Sequence, residues 1–335
     1  MKLGLIGAGR IGKLHGEIVT YNLPGVEIKT VADIYADQAK AWAERLKIAH
    51  LTTDYKDILR DPDIDAVLIC SSTDTHARMI IEAADAGKHI FCEKPIDFNI
   101  DRIREALAAA ESARVKLQIG FNRRFDHNFR KVRQLVEQGS IGDVHILKIT
   151  SRDPAPPPIE YVKVSGGIFL DMAIHDFDMA RYLCGSEVDT VFARGAVLID
   201  PEIGKLGDVD TAITTLTFKN GALGVIDNSR RAVYGYDQRV EVFGSKGYVD
   251  VKNDFPNSAS LSTAEGVISE KPHYFFLERY KTSYIEELKA FTETVLRDED
   301  PPVTGNDGLQ PVLMGLSARK SLEENRPVAI REMLA

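Results

Sequence analysis

The sequence predicts a two-domain α/β chain. An N-terminal domain built on a parallel sheet is followed by an α+β domain with a large, mostly antiparallel open sheet. Three observations carry this. Over the first 120 residues short apolar runs alternate with amphipathic helical stretches, the pattern of βαβ units. The first apolar run leads directly into Gly7-Ala8-Gly9-Arg10-Ile11-Gly12, a glycine turn that opens a helix. Beyond residue 122 extended runs follow one another with turns between them, as in an antiparallel sheet.

In chain order, LGLIG, IKTVAD, DAVLIC, HIFCEKP and KLQIGF read as strands. Residues 10–22, QAKAWAERLKI, THARMIIEAADAGK and IDRIREALAAAESARV read as the helices between them. The unbroken apolar run AVLIC fits a strand covered on both faces. The expected domains are 1–121 and 122–335, with the last helices free to pack back on the first. The second begins with a helix in FDHNFRKVRQLVEQG. Strand-like runs follow: DVHILKITS, DTVFARGAVLI, DTAITTLTFKNG, ALGVIDNSRRA and QRVEVFGSKGYVDV. Asn220-Gly221 between two of them signals a hairpin. DPAPPP, at 153–158, is a loop, and helices over 283–297 and 308–324 close the chain.

One helix interrupts these strands. DMAIHDFDMA, residues 171–180, is predicted to lie in a helix capped near Ser165 and ended at Gly185. At about 100° per residue, Asp171, His175, Asp178 and Tyr182 share one stripe of an otherwise apolar surface. Burying carboxylates with an imidazole is costly unless they pair or perform chemistry. A metal site and a purely structural network are the other uses of such a stripe, and no further His or Cys cluster supports a metal.

The 335 residues carry 42 Lys and Arg against 50 Asp and Glu, a net charge of −8. That balance argues against nucleic acid and anionic membrane surfaces as partners. Cys70, Cys92 and Cys184 have neither C-x-x-C spacing nor an even count, so buried reduced thiols are expected rather than disulfides or a zinc site. With no signal segment before the first strand and no run of about 18 apolar residues, a cytoplasmic protein is expected.

Gly7–Gly12 has the context that its motif requires, a strand before and a helix after. The first glycine makes the turn, the second admits a pyrophosphate, and the third lets helix and strand pack closely. Gly7, Ala8, Gly9, Arg10, Ile11 and Gly12 are therefore expected to cradle a dinucleotide. Asp33 ends the second strand, where a carboxylate accepts hydrogen bonds from a ribose 2′-hydroxyl and repels a 2′-phosphate. NAD is the expected cofactor. Ser71, Ser72, Thr73 and His76 follow DAVLIC at the same end of the sheet, and Glu93 and Lys94 stand in HIFCEKP at the end of its strand, so these too are assigned to the cofactor. Lys94 also stands where it can reach a substrate.

GAGRIG, Asp33, CEKP, GFNRRFD and DMAIHDFDMARYL together resemble the Gfo/Idh/MocA family of oxidoreductases. The resemblance runs from residue 1 to about 325. Within the family, GFNRRFD, SRDP and YGYDQRVEVFGSKG are most similar to the inositol 2-dehydrogenases. It implies a Rossmann domain, then an α/β domain whose open sheet often forms the oligomer interface, so a homodimer or homotetramer is expected. It also implies Lys94, Asp171 and His175 as catalytic residues. Arg123, after Asn122, stands where the inositol enzymes have a substrate-contacting arginine, and Tyr236 where they have a tyrosine near the polyol. Ser151 departs from the histidine that some of them carry there.

The expected activity is NAD-dependent oxidation of a secondary alcohol of a cyclic polyol, myo-inositol to 2-keto-myo-inositol. His175 has the pKa range for a general base. Asp171 would orient it or hold a hydroxyl, and Lys94 would stabilise charge on the reacting oxygen. Asn122, Arg123, Asp153, Tyr236 and Asp178 are candidates for the other hydroxyls. The alternatives are another sugar or cyclitol, or a regulator that senses NAD(P) without catalysis.

Overall fold

The computed structural model describes residues 1–334. It contains two compact units, Met1–Asn122 with Thr282–Gln310, and Arg123–Lys281 with the chain from Pro311 onward.

In the first unit, β1 (Lys2–Ile6), β2 (Glu27–Ala32), β3 (His50–Thr52), β4 (Ala66–Ile69), β5 (His89–Glu93) and β6 (Leu117–Gly120) form one sheet in the order 3-2-1-4-5-6. Every pairing is parallel. The helices between the strands are α1 (Arg10–Asn22), α2 (Ala36–Arg45), α3 (Lys56–Arg60), α4 (Thr73–Asp85) and α5 (Ile100–Ser112). All four residues of β4 are buried, as its unbroken apolar run requires. Sequence reading misses β3 and α3. The strand is three residues long, pairs on one side only and has no buried residue, so it carries no apolar period. The strand order reverses between β1 and β4. In open α/β sheets ligands bind beyond the carboxyl ends of the strands at that point, which here are Gly7 and Cys70.

In the second unit, α6 (His127–Glu137) precedes β7 (Val144–Arg152). α7 (Ile159–Ser165) and α8 (Ile174–Cys184) follow, separated by a π-helical turn over Ile168–Met172. Then come β8 (Val188–Ala196), α9 (Pro201–Lys205), β9 (Thr211–Phe218), β10 (Leu223–Ser229), β11 (Asp237–Gly244) and β12 (Gly247–Val251). An exposed hairpin, β13 (Ser260–Thr263) and β14 (Gly266–Ser269), precedes α10 (Phe276–Arg279). α11 (Lys281–Arg297), which from Thr282 on belongs to the first unit, α12 (Gly305–Glu324), which belongs to the second unit from Pro311, and β15 (Val328–Ala329) follow. The main sheet has seven strands in the order 12-11-7-10-9-8-15. It is antiparallel except where β10 lies parallel to β7. The Asn220-Gly221 hairpin joins β9 to β10, with Gly221 at φ 88°. Along β9 buried and exposed residues alternate, so one face of the sheet is covered and the other open. α8 packs on β7 and on α6.

The polar helix differs from its expected form. Ser165 is the last residue of α7, not a cap for the helix that carries His175. Gly166 and Gly167, at φ 88° and 77°, end α7 and turn the chain. The next segment is capped from a distance, by the Asp208 carboxylate accepting from the Ile168 N–H at 3.1 Å. The π turn is closed by the Ala173 N–H donating to the Ile168 carbonyl at 2.8 Å. Such turns carry an extra residue and recur at functional sites.

Candidate active site

The glycine turn ends β1. The Gly7 N–H donates to the Ala32 carbonyl at 2.8 Å, and a Cβ on Gly7 would stand 2.6 Å from the Cys70 carbonyl oxygen. A Cβ on Gly12 would stand 1.9 Å from the Gly7 carbonyl oxygen, so α1 could not approach the turn with any other residue there. Gly9 is different: a Cβ there would meet no protein atom within 4 Å. Its backbone faces open space at the N-terminus of α1, which is where a pyrophosphate needs close approach and a favourable dipole. Asp33 lies beside the turn. Its Oδ2 accepts from the Ala8 N–H at 2.6 Å and its Oδ1 from the Tyr35 N–H at 2.7 Å. Each oxygen keeps capacity for a second donor, as binding a ribose requires. Ile34 and Tyr35 are exposed and bring no cation for a 2′-phosphate. Arg10 is exposed and Ile11 half-buried at the first turn of α1. The residues present fit NAD.

Ser71 and Thr73 are half-buried at the start of α4, Ser72 is exposed, and the Ser71 Oγ lies 2.7 Å from Thr75 Oγ1. His76 requires a correction. It is buried, with Nδ1 2.8 Å from the Pro95 carbonyl oxygen and Nε2 3.0 Å from that of Ser71. The nitrogen that carries the hydrogen donates to one of these carbonyls and the other nitrogen is closed in against the second, so His76 ties the Lys94-Pro95 turn to the end of β4 instead of offering a nitrogen to a cofactor. Burial lowers its pKa. Glu93 and Lys94 are both half-buried at the end of β5. Glu93 is turned to His15, 2.7 Å from its Nε2. Asn122 is buried at the end of the unit.

In the second unit the polar helix resolves into two layers. Of residues 171–180 only Asp171 and His175 reach the surface, and both are half-buried. Asp171 stands on the π turn, where its Oδ1 accepts from the Tyr161 hydroxyl at 2.8 Å and its Oδ2 lies 3.5 Å from Arg230 Nη1. His175 is in the first turn of α8. Asp153 follows β7, with its backbone bonded to Ser229 and Ala232. Removal from water pushes its pKa up to about 7; Arg230 pulls against this and Asp171 adds to it. Asp171, Asp153 and Arg230 thus form one charge cluster.

Beneath lies a buried layer that sequence reading largely missed. Arg123 donates from Nη1 to Asp176 Oδ1 at 2.5 Å and from Nη2 to the Tyr236 hydroxyl at 3.3 Å. Asn228 Nδ2 donates to Asp176 Oδ2 at 2.8 Å. Ser151 is buried beside them with its Oγ donating to Gln238 at 3.1 Å. Burial raises the pKa of Asp176, and Arg123 opposes the shift. Arg123 and Tyr236 are therefore first of all members of a network that supports α8. Asp178 is corrected outright. It is fully buried and bonded to Arg124, leaving no oxygen turned toward a substrate. Asp176 sits between two expected site residues, but its place on the opposite side of a regular helix concealed its role. Arg230 gave no signal beyond its charge.

Cys70, Cys92 and Cys184 are free thiols, and burial raises the pKa of each. Two groups of side chains among the described residues have metal-like spacing. In Asp126–His127–Asp254 the Arg279 guanidinium already lies 2.5 Å and 3.0 Å from the two carboxylates. The other is His15–Glu93–Glu287.

The first unit carries a glycine turn open at a helix N-terminus with a carboxylate beside it, as an NAD-binding domain does. The chain belongs to the Gfo/Idh/MocA family of oxidoreductases. Residues 1–121 match the family's NAD-binding Rossmann fold and residues 129–250 its C-terminal domain. The chain is 57% identical to an uncharacterized oxidoreductase of Bacillus subtilis, over 98% of this chain and 96% of that protein. It is 51% identical to a myo-inositol 2-dehydrogenase of Thermotoga maritima over the full length of both. It superposes with a TM-score of 0.93 on the crystal structure of scyllo-inositol dehydrogenase from Lactobacillus casei with bound NAD(H) and scyllo-inositol, at 31% identity and 99% of both chains. Among the described residues no helix is long and apolar enough to cross a membrane.

Proposed function

We propose that this oxidoreductase oxidises one secondary hydroxyl of a cyclic polyol with NAD, and that its substrate is myo-inositol, giving 2-keto-myo-inositol. The observation that carries this is the pairing of exposure with chemistry on the polar helix: in a buried stretch, the two side chains left accessible are Asp171 and His175. The relatives named for inositol support the substrate.

Bound NAD supplies the hydride acceptor. The chain's residues do the rest. His175 accepts the hydroxyl proton. Asp171, held by Tyr161 and Arg230, orients the imidazole or a neighbouring hydroxyl. Lys94 donates to the reacting oxygen as negative charge develops on it. Asp153 binds a further hydroxyl, with Arg123, Tyr236 and Asn122 supporting that surface. Gly7–Gly12, Asp33 and the hydroxyls of Ser71, Ser72 and Thr73 hold the dinucleotide. Lys94, Asp171 and His175 favour an enzyme over a regulator that only senses NAD(P).

The open sheet supports a symmetric dimer or tetramer. Tyr248, Phe243, Ile146 and Leu223 lie in register across four adjacent strands, all exposed. A row of this kind is a surface for a second copy. Three free thiols and a net charge of −8 suit a cytoplasmic protein.

The test is an absorbance screen at the NADH band, with NAD and a panel of inositol isomers and sugars. Turnover of myo-inositol well above the other compounds is expected. A clear preference for an acyclic or aldose substrate would replace the substrate assignment, and no NADH with any polyol would remove it.

A further inference from the structure

Behind the Glu93-Lys94 turn, the first unit brings together three ionisable side chains, two of them fully buried, for which the proposed chemistry has no use. His15 stands on α1, three residues after Gly12. Glu93 ends β5, immediately before Lys94. Glu287 comes from α11. His15 and Glu287 are completely buried. His15 Nε2 lies 2.7 Å from Glu93 Oε1, and one ligand-capable atom from each of the three lies within 4.8 Å of the others. Phe91 and Tyr284 pack edge-on against the imidazole, with centroids at 5.1 Å and 5.8 Å. Both Glu287 oxygens and His15 Nδ1 are buried without a hydrogen-bond partner.

Proton bookkeeping follows from these contacts. A hydrogen on Nδ1 would be a buried donor with no acceptor, so the ring's hydrogen belongs on Nε2, where Glu93 accepts it. Besides His15, the titratable groups that act on Glu287 are Glu93 and Cys70 at the end of β4. Neither is a cation. Two carboxylates side by side in a dry site do not both ionise. Glu287, the more deeply buried of the two, carries the proton; burial and the charge of Glu93 both hold its pKa well above the usual carboxylate range.

We propose that Glu287 is a positioning residue: by staying neutral and filling the space behind Glu93, it fixes Glu93 on His15 and so holds Lys94 in register with the NAD-binding helix. This rests on the reading of Lys94 as a catalytic group.

The test compares Glu287→Gln and Glu287→Ala with the wild type. It measures kcat and KM across pH, NADH affinity by fluorescence titration, and Tm at acid and alkaline pH. Glu287→Gln keeps the shape and neutrality, so it is expected to retain kcat. Glu287→Ala is expected to lower kcat about 10- to 100-fold, with NADH affinity changing far less. The folded pKa of Glu287 lies above its unfolded value, so wild-type stability falls as pH rises from the ordinary glutamate range. Glu287→Gln should flatten that fall and raise Tm at alkaline pH. Three results would overturn the proposal: Glu287→Gln as impaired as Glu287→Ala, Glu287→Ala as active as wild type, or identical pH dependence of Tm in wild type and Glu287→Gln. In the first case a stoichiometric divalent ion in the purified wild type would show that the three groups are metal ligands. If the wild type oxidises no polyol, the functional reading fails, while the Tm comparison still reports the proton on Glu287.

Discussion

Arg124 grips Asp178 with two near-parallel hydrogen bonds, Nη2 to Oδ1 at 2.6 Å and Nε to Oδ2 at 2.9 Å. The guanidinium also lies over the Tyr182 ring, 5.2 Å from its centroid. The pair joins the start of the second unit to the buried side of α8. Removing one member leaves the other charge without its partner. Asp178→Ala is therefore expected to cost about 3–5 kcal/mol of stability. Turnover per folded molecule should stay close to wild type. Thermal unfolding read beside active-site-normalised kcat checks this. A variant of normal Tm that has lost turnover would return Asp178 to the substrate.

This pair also shows where the sequence was legible. Every strand of the first sheet except His50–Thr52 announced itself by an apolar run, and the glycine turn by its context. Asp171 and His175 stood out because polar groups on an apolar helix need a reason. Their neighbours were harder to sort. His175, Asp176 and Asp178 all lie on the regular α8, beyond the π turn at Ile168–Met172, so a helical wheel puts Asp178 on nearly the same side as His175. What the wheel does not record is the distant partner: Arg124 takes Asp178, and Arg123 and Asn228 take Asp176. Arg230 and Asn228 meet Asp171 and Asp176 through contacts 59 and 52 residues apart in the chain, which no local pattern records.

In the proposed mechanism Lys94 and His175 both act on the reacting oxygen. Replacing either with alanine would remove that group and leave the glycine turn and Asp33 intact. Lys94→Ala and His175→Ala are each expected to lower kcat by about 10²–10⁴-fold. NADH affinity, measured by fluorescence titration, should survive in both. Near-normal turnover in both variants would end the catalytic assignment.

Asp33 is tied to the glycine turn by the Ala8 N–H and braced by the Tyr35 N–H, and it is the residue proposed to hold the ribose. Asp33→Ala removes the charge that repels a 2′-phosphate. The ratio of kcat/KM with NAD to that with NADP should fall by at least about tenfold, since like charges in contact cost several kcal/mol. A circular-dichroism melt controls for loss of the two main-chain bonds. An unchanged ratio in a folded variant would remove Asp33 from the ribose site.

Asp153 gives the protein a titration within the working pH range. Its carboxyl is pushed up to about 7, chiefly by removal from water, with the Asp171 charge adding and Arg230 opposing. Below that value it is a neutral donor; above it, a carboxylate that accepts. The folded pKa lies above the unfolded one, so the cost of ionising Asp153 appears as pH rises from about 4 toward 7. Stability should fall over that window and level off above it. Asp153→Asn keeps the shape without the charge. The variant should therefore gain on the wild type at pH 8 and not at pH 4, by about 1–2 kcal/mol once partial hydration of the carboxyl is allowed for. The same substitution should remove any inflection near pH 7 from the profile of kcat/KM. Urea unfolding at the two pH values and a rate profile across them test both effects. Parallel stability curves for the two proteins would show that Asp153 does not titrate in this range.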